Sequence, residues 1–89
     1  MDTYEIKEVG NVVHYFTKIN VAIVDLSGTL LVGDHIRIKG TTTDFEQTIV
    51  SMQIEHENVK KAEAGQSIGL KVDERVREGD TVYKVLPAQ

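Results

Sequence analysis

The strongest constraint in this chain is a period-two alternation of apolar and polar residues, repeated in short runs and broken by glycine-centred turns. His35-Ile36-Arg37-Ile38-Lys39 alternates strictly, with isoleucine at the even positions. Successive side chains of an extended strand point to opposite faces, so this run reads as a half-buried strand. Val12-Val13-His14-Tyr15-Phe16-Thr17 and Val21-Ala22-Ile23-Val24-Asp25-Leu26 are rich in β-branched and aromatic residues, and Lys18-Ile19-Asn20 between them is a turn. Phe45 through Ile54 reads as one strand, with Thr48, Val50, Met52 and Ile54 on one face and Ile49, Ser51 and Gln53 on the other. Ser67 through Val72 and Thr81 through Leu86 alternate again. Glu55 through Ala64 is the only helix-tolerant stretch, and its polar composition predicts a loop with a single helical turn.

A chain of 89 residues holds one core, so 1–89 is read as a single domain. Six or seven short strands without a long helix leave two exposed edges if laid flat, and closure removes them. The sequence therefore predicts an all-β, small closed antiparallel barrel, filled by the Ile, Val and Leu of the alternating faces. Gly33-Asp34 and Gly79-Asp80 each precede an alternating strand. Glycine supplies positive φ there, and the aspartate bonds the turn backbone. Gly28 and Gly65 punctuate in the same sense, and Gly69, inside a strand, reads as close packing against another backbone or a bulge.

Composition excludes several functions. The absence of cysteine removes disulfides, zinc–thiolate sites, iron–sulfur clusters and thiol nucleophiles. No apolar run approaches the ~20 residues of a membrane span. The charged start, Met1 through Glu8, has no apolar signal core, which predicts a cytoplasmic protein. Ten Lys and Arg stand against fourteen Asp and Glu, for a net charge of −4, so unspecific polyanion binding is disfavoured.

Four segments in order resemble domain 2, the β-barrel of the translational GTPases. They are Gly28-Thr29-Leu30-Leu31-Val32-Gly33-Asp34 running into the 35–38 strand, Val50-Ser51-Met52-Gln53, Ala62-Glu63-Ala64-Gly65-Gln66-Ser67-Ile68-Gly69-Leu70, and Val76-Arg77-Glu78-Gly79-Asp80-Thr81-Val82. The resemblance covers 9–86. It implies a free-standing relative of that barrel, a translation elongation factor-like binding module contacting RNA, the ribosome or a translation-related protein. Neither a phosphate loop nor a guanine-reading Asn-Lys-x-Asp motif is present, so no GTP hydrolysis is implied. Where the family often has Arg-Gly-Thr and Thr-Gly, this chain reads Val9-Gly10-Asn11-Val12 and Ala22-Ile23. Similar barrels also serve as accessory domains on some collagenase-like peptidases that act in RNA modification. That offers the alternative reading, an accessory protein–protein interaction subunit of a larger enzyme.

No catalytic constellation emerges. Ser27, Ser51 and Ser67 lack a motif context, and the Asp73-Glu74 and Glu78–Asp80 carboxylates read as mixed-charge solvated turns with Arg75 and Arg77. His14 lies in a strand with Val12 and Phe16 on its face. Glu55-His56-Glu57 is the best of the weak metal candidates, but neighbours on an extended chain point apart. The sequence thus predicts no enzyme, cofactor, metal or small-molecule substrate. For partner contact, His35, Arg37 and Lys39 share the polar face of one strand, and Lys71 points outward from another. Such a stripe suits a phosphate backbone, or simply covers a barrel wall with solvated charge. Tyr4, Tyr15 and Tyr83 are candidate stacking residues, the last two more at home in packing. For the protein-partner alternative, Val13, Tyr15, Val21 and Ile23 form a candidate apolar outer patch.

Overall fold

A computed structural model describes residues 4–87. Among them are ten strands and no helix: β1 (Tyr4–Phe16), β2 (Val21–Leu26), β3 (Leu30–Leu31), β4 (His35–Lys39), β5 (Asp44–Thr48), β6 (Met52–Ile54), β7 (Glu57–Val59), β8 (Lys61–Ala62), β9 (Ser67–Lys71) and β10 (Thr81–Pro87). Met1–Thr3, which belong to the charged start, and the side chain of Tyr4 lie outside the described residues. The strand alternation is realised directly. Ile36 and Ile38 of β4, Ile68 and Leu70 of β9, and Val24 of β2 are almost fully buried, and their odd-numbered neighbours face out or are half-buried.

All ladders are antiparallel, and eight strands form one sheet in the order β5-β4-β10-β1-β2-β9-β6-β7, with β3 and β8 as a separate ribbon. The expected closed barrel is not formed by ladder pairing: β5 and β7, the end strands, do not pair with each other. Isolated bonds tie the 32–34 segment to residues flanking β5 and β7. Gly33 N–H donates to the Ile49 carbonyl, Ile49 N–H to Asp34, and Val32 N–H to Lys60, each at 2.9 Å. Gln47, buried on β5, adds a side-chain link. Its Nε2 donates to the Lys71 carbonyl at 2.9 Å, and its Oε1 accepts from Asp73 N–H at 2.8 Å. That amide takes the place of a rung between β5 and the end of β9.

The reason for the open order lies in 45–54. The sequence reads as one strand, but the inward phase changes. Phe45, Gln47 and Ile49 point in, Val50 is 66% exposed, and Met52 points in again. The run therefore splits at Val50-Ser51 into β5 and β6, which belong to opposite ends of the sheet. The 55–64 stretch also departs from expectation. Glu57-Asn58-Val59 pairs back on Met52-Gln53-Ile54, and β8 pairs with β3, so no helical turn forms.

β1 carries two register shifts, between Glu8 and Gly10 against β10 and between Val12 and His14 against β2. Bulges bend a strand and sharpen its twist, which lets one long strand pair with both neighbours. The second shift places His14 outward and Val12 in the core, so the two do not share a face.

Three turns repeat one device. In 31–34, 63–66 and 77–80 the third residue is a glycine with φ of 98°, 91° and 94°. The backbone N–H of the fourth residue donates to the carbonyl of the first at 3.0–3.1 Å. The side chain of the fourth accepts from the N–H of the first: Asp34 from Leu31, Gln66 from Glu63 and Asp80 from Arg77. Positive φ at the third position is what a type II turn requires, hence glycine. Asp80 is buried, not solvated. Lys84 bridges to Asp34 at 3.1 Å, fastening β10 to the first of these turns. Gly28 N–H donates to the Val9 carbonyl at 3.2 Å.

Candidate interaction groove

The outward side chains of β1, β2, β9, β6 and β7 fall into register rows. Ladder partners share a face, so His14, Ile23, Gly69, Gln53 and Asn58 form one row, and Phe16, Val21 and Lys71 the next. Along these rows lies a shallow groove of about 270 Å³. Phe16, Val21 and Ile23 form its apolar wall, Ile19 of the β1–β2 turn closes one end, and Glu55 and His56 of the β6–β7 turn flank the other side. Phe16 and Ile19 are 44% and 55% exposed, high values for large apolar groups. The His14 ring stands edge-on to Phe16, with centroids 4.5 Å apart.

Val21 and Ile23 of the expected apolar patch therefore face this groove. Tyr15 does not: it packs against the core from the other face, and its hydroxyl donates to Asn20 Oδ1. Val13, 38% exposed, sits at the bulge between the paired residues Val12 and His14. Phe16 was missed as a groove residue because the bulge shifts the facing of β1 by one, and Ile19 because a turn carries no facing pattern. Gly69 also departs from its reading. Its ladder is regular, its φ is not positive, and a Cβ built on it would meet no atom nearer than 3.5 Å. Neither a bulge nor close packing requires glycine there. Its effect is to leave the groove open.

The three β4 members of the polar stripe share one face, and two of them are already engaged. His35 Nε2 lies 2.7 Å from Glu46 Oε1. Arg37 grips Asp44 with two bonds, Nε to Oδ1 at 2.8 Å and Nη2 to Oδ2 at 2.9 Å. The hydrogen bond from Arg37 holds the Asp44 carboxyl below its usual range, and the same bond raises the guanidinium. Lys39 stands opposite Asp44 in the ladder. Lys71 is not part of this group, since its side chain stands in the row of Val21 and Phe16. Its ammonium donates to the Ile19 carbonyl at 2.8 Å. His35 and Arg37 thus meet the carboxylates of β5, a pairing invisible until β4 and β5 are placed side by side, whereas Lys39 makes no ion pair among the described residues. Among the described residues no three His, Cys, Asp or Glu side chains gather into a metal-binding cluster. Among the described residues no helix is long and apolar enough to cross a membrane.

No protein-family model matches the chain. Over 77 residues it is 44% identical to an uncharacterised protease of Methanocaldococcus jannaschii, covering 85% of this chain and 19% of that protein. It is 38% identical over 78 residues to a collagenase of Porphyromonas gingivalis, covering 85% of this chain and 22% of that protein. The chain thus spans about a fifth of the length of the curated relatives it matches. Its fold is that of the C-terminal domain of a Geobacillus thermoleovorans protein described as a U32 peptidase, with TM-score 0.82, 21% identity, and coverage of 88% of this chain and 91% of that one.

These relatives overturn the translation-factor resemblance, and the elongation-factor, ribosome and RNA readings fall with it. The physical reason is that its motifs are turn chemistry. Gly-Asp after an apolar residue is what a glycine-third turn with a capping side chain demands, and it recurs wherever such turns join short strands.

Proposed function

We propose that this chain is an accessory domain of the U32 peptidase type that acts by binding protein, without catalysis of its own. The observation that carries the reading is its match, over most of its own length, to about a fifth of proteins named as a protease and a collagenase. The matched solved fold is itself described as a C-terminal domain. In this reading the remaining part of such a protein holds the peptidase chemistry, and the domain docks on that part or on its substrate. The outward groove of Phe16, Ile19, Val21 and Ile23 supplies the docking surface, since exposed apolar patches mark interaction sites.

The test uses the Methanocaldococcus relative with its matching segment deleted. The purified chain is expected to bind that truncated protein in a surface-captured format, and to release no products from casein or gelatin by itself. Absence of binding, or proteolysis by the chain alone, would sink the reading.

A further inference from the structure

We infer that the groove receives a protein segment presenting one bulky apolar side chain next to a lysine or arginine. The inference rests on the proposed function and names the chemistry of its partner. Three observations carry it. First, the groove is vacated by Gly69, a glycine that neither backbone conformation nor packing demands. Glycine weakens a strand interior, so an open floor is kept at the expense of local stability. Second, Glu55 and His56 both hold positive φ, 51° and 67°, in a two-residue hairpin turn. Side chains with a Cβ are disfavoured there, and such outliers cluster at binding sites. The strained pair flanks the groove.

Third, Glu55 is the one Asp, Glu, Lys or Arg side chain lining the groove, and among the described residues it makes no ion pair; the Lys71 ammonium lies outside the lining and donates to the Ile19 carbonyl. A cation arriving beside the apolar anchor would find Glu55 available. The volume fits one large side chain: an apolar cavity of about 150 Å³ accepts benzene, and the groove holds about 270 Å³.

The probe is N-acetyl-Phe-Lys-amide, titrated into the ¹⁵N-labelled chain at low salt, with N-acetyl-Phe-Glu-amide and N-acetyl-Gly-Lys-amide as controls. Saturable shifts are expected at the amides of Phe16, Ile23, Gly69 and Glu55, with the Glu and Gly controls several-fold weaker. Gly69→Val raises the floor, its Cβ meeting no atom nearer than 3.5 Å, and should weaken the Phe-Lys probe about tenfold, the scale of one lost side-chain contact. Its spectrum should otherwise keep wild-type dispersion. Glu55→Gln should abolish the preference for Lys over Glu while keeping the shift at Phe16. The proposal is overturned if the shifts fall elsewhere, if Gly69→Val binds as tightly as wild type, or if Lys and Glu probes bind equally. These outcomes separate from the function test. Capture of the truncated relative that survives in Gly69→Val removes the groove alone, and no capture by the wild-type chain removes the accessory-domain reading.

Discussion

Arg37 and Asp44 sit diagonally across the β4–β5 ladder and close a two-bond ion pair. The pair is exposed, so its worth is small at neutral pH, but its pH dependence has a definite sign. Asp44 has its folded pKa lowered from an unfolded value near 3.9. Its contribution is therefore complete above about pH 4 and lost as pH falls through the lower folded value. Asp44→Asn should lower the urea midpoint at neutral pH, and the deficit should shrink as pH falls through the lowered folded value and the aspartate loses its charge. A deficit that persists in acid would mean that the carboxylate acts by packing and not by charge. At the same scale, phosphate binding by Arg37 would first have to displace Asp44.

The β6–β7 hairpin shows what an element gives up for a pair of side chains. Two-residue hairpin loops with positive φ at both positions favour Asn-Gly, and here the positions are Glu55 and His56. Glu55→Asn with His56→Gly should raise stability by about 1 kcal/mol, since left-handed geometry disfavours a residue with a Cβ by ~1–2 kcal/mol, a cost Gly escapes and Asn lessens by local hydrogen bonding. Thermal melts of the double variant read this directly. The same variant removes Glu55, so it should be more stable and a poorer binder of the Phe-Lys probe. A drop in stability would show that the native pair is held by contacts that offset its backbone strain.

For the molecule as a whole, the seam between β5 and β7 decides whether ten strands behave as one body. Gln47 spans it with bonds to Lys71 and Asp73 and is buried while doing so. Gln47→Met keeps the volume but strands a carbonyl and an N–H, which should cost about 1–3 kcal/mol. Hydrogen exchange would then rise first at Asp73. Uniform destabilisation without local opening would mean that the Gln47 bonds do not hold the seam by themselves.

The sequence by itself determined which side chains point inward within a strand, because alternation is a local consequence of extended backbone. It also determined the turns, because positive φ and a capping side chain are set within four residues. Ile36, Ile38, Ile68, Leu70, Gly33, Asp34, Gly79 and Asp80 were legible on those grounds. Only the tertiary structure decided the phase change at Val50-Ser51, the bulge that turned His14 and Phe16 outward, the pairing of the basic face of β4 with β5, and the open seam. Each depends on which distant strand lies alongside, and register between strands is fixed by contacts that no local pattern encodes. The groove belongs to the second group: its residues come from β1, β2, β9 and the 55–56 turn, and they meet only when the sheet is assembled.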